Sequence, residues 1–87
     1  MGARDFVGTR EFAEEVGTEI EAEFDRIRPD WRLFRDADGN PHGIMYGWGF
    51  TNNELQCGVS DAGDLTPLFE EAIRRAFWRV ADRYASR

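Results

Sequence analysis

Residues 43–50 read Gly-Ile-Met-Tyr-Gly-Trp-Gly-Phe, and this stretch decides the fold of the chain. Successive side chains of a β-strand point to opposite faces, so the even-numbered residues share one face and the small odd-numbered residues share the other. The shared apolar row consists of Ile44, Tyr46, Trp48 and Phe50. The pattern predicts a central strand with one apolar face, against which the rest of the chain must pack.

A first strand is predicted at residues 31–36, before the central strand. Asp38-Gly39 is a strong two-residue hairpin signal between the two stretches. If these two residues form the loop, large side chains from both strands meet on one face. The predicted pairs on this face are Leu33 with Ile44 and Trp31 with Tyr46. Phe34 would lie on the outward face, opposite Gly43.

A third strand is predicted at residues 54–60, after a second tight turn at Asn52-Asn53. Asparagine tolerates the positive φ angles that such turns require. The register across this turn again brings large residues to the same face, which supports it independently. The predicted pairs are Phe50 with Leu55, Trp48 with Cys57 and Tyr46 with Val59. The reverse face is small and polar, and we expect it to be open to solvent.

Helices are predicted on either side of these strands, at residues 9–28 and 65–85. Thr9 is an expected N-cap for the first, and Pro29 ends it. Pro67 suits the first turn of the second. Each helix has one apolar stripe, and the sheet offers one apolar face, so both helices should lie on it. The sequence predicts a single α+β domain over residues 1–87, a two-layer α-β-β-β-α fold with a three-stranded antiparallel meander.

The charge distribution is uneven along the chain. The net charge is −6, from 17 acidic residues and 11 arginines, and there is no lysine. Residues 11–25 hold seven acids and no base, and residues 36–71 hold seven more acids and no arginine. Such a surface repels nucleic-acid backbones and attracts basic protein surfaces.

Glu15, Glu19 and Glu23 repeat at intervals of four in the first helix, which is a ladder of like charges without local arginines. Each such pair destabilises an isolated helix by a few tenths of a kcal/mol. Two interpretations remain open at this point, a solvated helix face and an acidic contact surface for a partner.

No residue set in the sequence predicts catalysis, a metal site or a cofactor. Cys57 falls on the apolar face, where a thiol is usually inert, and His42 has no second metal ligand. Residues 36–47 begin like a calcium-binding loop, but Pro41 and Gly47 occupy positions that need glycine and glutamate. With no signal peptide and no apolar run long enough for a membrane span, we expect a cytoplasmic protein.

Trp78 does not fit the apolar stripe of the second helix. It lies about 180° around that helix from Phe69, and Arg74 is placed to stack on it one turn away. An outward tryptophan beside arginines has the composition of an interface hot spot. The alternative is that Phe6 and Val7, or the arginine stems, cover it.

The order α-β-β-β-α over residues 9–85 resembles the double-stranded RNA-binding domain. That family binds RNA through a basic cluster at the start of its second helix. Here the corresponding residues 64–71 are Asp-Leu-Thr-Pro-Leu-Phe-Glu-Glu, which would repel RNA. The resemblance therefore implies the fold and none of the RNA-binding residues.

Two functions are predicted by these observations, and neither is enzymatic. The first is a small acidic inhibitor that occupies a basic surface of a partner, such as a nucleic-acid-handling complex. In size and charge the chain is similar to phage-encoded anti-CRISPR inhibitors and other nucleic-acid mimics. Its expected contacts are Glu11, Glu14, Glu15, Glu19, Glu21, Asp25, Asp36 and Asp38. The alternative is an assembly, immunity or accessory module that binds a partner or forms a homodimer, through Trp78 and Arg74 or a sheet edge.

Overall fold

The computed structural model describes residues 5–35 and 37–86, which form two helices and a β-hairpin. In chain order these are α1 (Arg10–Ile27), β1 (Met45–Thr51), β2 (Glu54–Ser60) and α2 (Thr66–Ala85). Short 3-10 turns occupy Asp5–Gly8, Trp31–Leu33 and Gly63–Leu65. The α+β class is confirmed, but the described residues form a two-stranded sheet rather than the predicted three-stranded meander.

Helix α1 begins and ends close to its predicted bounds. The hydroxyl of Thr9 accepts a hydrogen bond from the backbone N–H of Phe12 at 3.2 Å, which makes Thr9 the N-cap. Arg28, the residue before Pro29, is extended, as the residue before a proline should be. Four side chains of the predicted stripe are fully buried: Phe12, Val16, Ile20 and Phe24.

The β1–β2 hairpin has the predicted turn and register. Asn52 and Asn53 have φ angles of 54° and 62°, so both central residues of the turn are left-handed. All three predicted pairs occur: Phe50 with Leu55, Trp48 with Cys57 and Tyr46 with Val59. These six side chains are half-buried, whereas the residues on the reverse face are exposed.

Both helices contact the apolar face of the hairpin. The ring of Phe12 in α1 lies 6.1 Å from that of Trp48, and the ring of Phe77 in α2 lies 5.4 Å from Trp48. At the other end of β1, Phe24 packs against Tyr46 with 5.2 Å between centroids. These edge-to-face contacts join the three elements into one aromatic core.

The predicted first strand is wrong over its described residues. Trp31–Leu33 is a 3-10 turn, and Leu33 is 72% exposed instead of facing Ile44. Trp31 is buried and does contact Tyr46, but it also packs edge-on against Phe24 at 5.1 Å.

Contacts outside residues 31–36 explain this departure. The indole Nε1 of Trp31 donates to Asp25 Oδ1 at 2.8 Å, and the backbone carbonyl of Trp31 accepts from Ile44 N at 3.0 Å. Gly43 is in the left-handed region at φ 75°. The chain does reverse near Gly39, with Phe34 accepting from the Gly43 N–H at 2.9 Å. Among the described residues of this turn, an isolated Arg35–Pro41 bridge forms and no strand ladder.

Candidate protein-binding surfaces

A seam of ion pairs runs along one side of the α1–α2 interface. Glu19 Oε1 accepts from Arg79 Nη1 at 3.0 Å, and Glu19 Oε2 lies 3.2 Å from Arg83 Nη2. Glu23 accepts from Arg79 at 3.0 Å and from Arg75 at 3.3 Å. The pairing order shows that the helices are antiparallel, with a glutamate every turn of α1 facing an arginine every turn of α2.

Glu23 is the centre of this seam and the only charged residue in the described chain that is buried, at 6% exposure. A third arginine, Arg26, donates to its Oε2 at 2.7 Å. Burial raises the pKa of Glu23, but the hydrogen bonds from Arg79, Arg26 and Arg75 outweigh it, so the pKa lies below its usual value. The hydrogen bond from Arg79 likewise lowers the pKa of Glu19. Both carboxylates are therefore held in the charged form.

The seam adds a contact that neither interpretation of the glutamate ladder included, because Glu19 and Glu23 are paired with arginines from the other end of the sequence. The role of Glu19 as a partner contact stays a prediction. The importance of Glu23 was missed. A signal existed in the matching spacing of Arg75, Arg79 and Arg83, which repeat at the same interval of four.

A second cluster engages two more of the predicted contact acids. Arg32 donates to Asp25 Oδ1 at 3.0 Å and to Glu21 Oε1 at 3.1 Å. The hydroxyl of Tyr46 donates to Glu21 Oε2 at 3.2 Å, and burial followed by the charge of Glu21 raises the pKa of Tyr46 to about 12. The hydrogen bond from Trp31 lowers the pKa of Asp25. Glu21 and Asp25 thus hold the 3-10 turn against α1.

The remaining acids of α1 line a shallow groove at its N-terminal end. Its volume is about 410 Å³ and its lining residues are Glu11, Glu14, Glu15, Thr18, Glu19 and Arg83. Glu11 and Glu14 are exposed, and Glu15 is half-buried. Of the other predicted contacts, Asp38 is exposed in the turn before Gly39, and Asp36 lies outside the described residues. The structure therefore brings Glu11, Glu14 and Glu15 together in one groove, and Asp38 is not part of that groove.

The arginines are largely used inside the molecule. Within residues 5–35 and 37–86, seven arginines lie within 4.0 Å of an acidic side chain, namely Arg26, Arg28, Arg32, Arg74, Arg75, Arg79 and Arg83. Because the chain has six more acids than bases, its excess negative charge falls on other carboxylates. Exposed examples are Glu14, Glu54, Asp64 and Asp82.

Trp78 is not fully outward. It is half-buried, with its ring edge-to-face against Phe77 at 4.9 Å and against Phe50 at 5.9 Å. The tip of the hairpin therefore packs on it, which neither sequence interpretation anticipated; Phe6 instead contacts Phe12 and Tyr84. Arg74 is exposed and lies 3.6 Å from Glu71 Oε2.

The two residues with reactive side chains lie apart from these surfaces. Burial raises the pKa of Cys57, whose Sγ lies 3.8 Å from the carbonyl oxygen of Glu70. His42 Nε2 lies 3.4 Å from Asp61 Oδ2. Within residues 5–35 and 37–86 there is no group of three or more histidine, cysteine or acidic side chains that could hold a metal ion.

Neither described helix combines the length and apolar character that crossing a membrane requires. No protein-family profile, no curated protein and no solved structure matches the chain. The predicted resemblance to the double-stranded RNA-binding domain depended on three strands, and the described residues form only the second and third of them. Any proposal about function therefore depends on the surfaces of this molecule.

Proposed function

We propose that the protein is a non-enzymatic binding protein whose acidic surface occupies a basic surface of a partner protein. A nucleic-acid-binding site of the partner is the expected target, as for anti-CRISPR inhibitors and other nucleic-acid mimics. The observation that carries the proposal is the internal use of the arginines. Among the described residues, seven arginines are paired inside the chain, and exposed carboxylates carry the negative excess.

The internal pairs also revise which acids should make contact. Glu19, Glu21 and Asp25 are hydrogen-bonded to arginines of the same chain, so their recruitment by a partner would break existing bonds. Glu11 and Glu14 are exposed in the groove, next to the half-buried Glu15. The proposed contact surface is therefore the N-terminal part of α1.

The test is capture of partner proteins from a host lysate on immobilised protein, at low and at high salt, with identification of what is retained. The wild type should retain a basic nucleic-acid-binding protein at low salt and lose it at high salt, because exposed charge pairs are screened. The purified partner should then lose nucleic-acid binding when the wild-type protein is added.

A matched pair of variants locates the contact. The triple variant E11Q/E14Q/E15Q removes three charges from the groove, and E54Q/D64N/E70Q removes three charges elsewhere. We expect capture to be lost only in the first variant. Equal weakening in both would mean a general polyanion effect, and retention by the groove variant would contradict the proposed surface.

The alternative function, an assembly, immunity or accessory module binding through Trp78 and Arg74, makes an opposite salt prediction. An aromatic contact should survive high salt and be lost in Trp78→Ala. The packing of Trp78 against Phe50 and Phe77 makes a stability measurement on this variant a necessary control.

A further inference from the structure

The outer edge of β1 is the most distinctive surface feature of the hairpin. No third strand pairs with β1 in the part of the chain that the structure describes. In a hairpin with a two-residue turn, the residues flanking the turn form a hydrogen-bonded pair, and the pairs then alternate. Thr51–Glu54 is that first pair. The backbone N–H and C=O groups of Tyr46, Trp48 and Phe50 consequently point away from β2.

Just before β1, the N–H of Ile44 on this edge is bonded to the carbonyl of Trp31 at 3.0 Å. Within β1 itself, the edge has none of the sequence features that usually prevent strands from pairing. Over Met45–Thr51 there is no charged residue, no proline and no bulge, although charged residues make up 32% of the chain. Natural proteins place charges, prolines or bulges on exposed edges to prevent association. Their absence indicates an edge that accepts another strand.

The sequence of β1 also indicates which strand fits. Tyr-Gly-Trp-Gly-Phe is symmetric in kind about Trp48, with an aromatic residue at each end and a glycine on each side. When two copies pair antiparallel about a two-fold axis, a residue that follows the axis position faces the residue that precedes it by the same number of positions in the other copy. With Trp48 on the axis, Tyr46 faces the partner's Phe50, and Gly47 faces the partner's Gly49.

We infer that the protein forms a homodimer in which the β1 strands of two copies pair antiparallel about Trp48. The result is a four-stranded sheet in the order β2-β1-β1-β2, with the aromatic rows of the two copies continuous on the helix side. Aromatic pairs directly across strands are favourable on such a face. Each copy has a net charge of −6, so two copies repel each other. Contact through the uncharged β1 edge keeps that repulsion small.

The association is tested by sedimentation equilibrium over a range of protein concentrations, with two matched variants. G47K/G49K places lysines opposite each other across the proposed axis. Q56K/G58K adds the same charge to the same sheet face, but on β2. An added Cβ at Gly47, Gly49 or Gly58 meets no atom within 4 Å, and Gln56 is exposed, so both variants should fold.

We expect twice the 10.0 kDa chain mass for the wild type and for Q56K/G58K. G47K/G49K should raise the dimer dissociation constant by about tenfold or more, because like charges lie directly opposite. A wild type that stays monomeric at every concentration would overturn the inference. So would equal weakening by both variants, which would indicate contact through the open sheet face.

Amide hydrogen exchange measured by NMR tests the register separately. In the proposed dimer the amides of Tyr46 and Trp48 donate across the new pair, so their exchange should slow as protein concentration rises. The amides of Leu55 and Val59 point to the outer edge of β2 and should not respond. If the β2 amides became protected instead, the copies would be in contact through β2, which would contradict the proposed dimer.

Discussion

Residues 31–35 and β1 have similar sequences but different structures. Both alternate large apolar residues with other residues, and both precede a two-residue turn signal. Only β1 forms a strand, whereas Trp31–Leu33 forms a 3-10 turn. Alternation of apolar and other residues therefore leads to a strand where nearby residues form the turn and the partner strand. It does not do so where side-chain contacts with another part of the chain favour a different backbone conformation.

The two regions differ in where their contacts come from. The β1–β2 hairpin depends on Asn52 and Asn53, which adopt the positive φ angles of its turn, and on pairs within 16 residues. The 31–35 segment depends on α1, through the bond from Trp31 to Asp25 and the bonds from Arg32 to Asp25 and Glu21. The first set of contacts is local and the second is not.

The largest effect is expected at Trp31, which fixes the 3-10 turn. Trp31→Ala should lower the free energy of unfolding by about 3–5 kcal/mol, because it removes a buried ring packed against Phe24 and Tyr46. Urea denaturation followed by circular dichroism measures this change. Trp31→Phe is the control, since it keeps an apolar ring but removes the bond to Asp25. A loss under about 1 kcal/mol in Trp31→Ala would mean that the segment does not depend on this contact.

Glu23 tests whether buried ion pairs between the helices matter more than the exposed pairs of the 28–32 segment. Glu23→Gln should lower the free energy of unfolding by about 1–3 kcal/mol, since three arginines lose a buried charged partner. Asp30→Asn removes the exposed pair with Arg28, which solvent screens, and should change stability much less than Glu23→Gln does. Equal effects would contradict the distinction.

The same carboxylate gives a pH dependence. Because the folded-state pKa of Glu23 is lowered, its contribution to stability is present above the unfolded-state pKa of about 4.3 and is lost as the pH falls through the folded value. Glu19 acts in the same direction. Unfolding measured from neutral pH down to acid should therefore show a decline in the wild type, and a weaker decline in Glu23→Gln.

Gly43 connects the two regions, and its backbone conformation is a sharper test of the same comparison. Its φ is +75°, and an added Cβ would lie 3.0 Å from the carbonyl oxygen of Arg32. Gly43→Ala should lower the free energy of unfolding by about 1–2 kcal/mol through backbone strain. Gly49→Ala is the matched control, because a methyl group there meets open space. Thermal unfolding of both variants measures the difference, and equal melting temperatures would mean that the close approach to Arg32 is not maintained.

Much of the fold was predictable because its determinants are local. The cap at Thr9, the stop at Pro29, the turn at Asn52-Asn53 and the register of the hairpin all depend on neighbouring residues. The candidate site was less predictable. Pairing of Glu19 and Glu23 with α2 depends on contacts between residues 52 to 64 positions apart, from Glu23–Arg75 to Glu19–Arg83. The packing of Trp78 depends on where the hairpin tip lies. Helical periodicity places such residues on a face but does not show which other element covers that face.

The smallest effect is expected at Leu33, and it separates the two structures of the 31–35 segment directly. In a strand paired with β1, Leu33 would face Ile44 in the core, and Leu33→Thr would be costly by about 2 kcal/mol or more. In the 3-10 turn Leu33 is 72% exposed, so the change should stay within about 0.5 kcal/mol. Ile44→Thr provides the comparison, because Ile44 is 3% exposed and should respond as a core residue. Urea denaturation of both variants decides between the two structures, since a large loss in Leu33→Thr is compatible only with the strand.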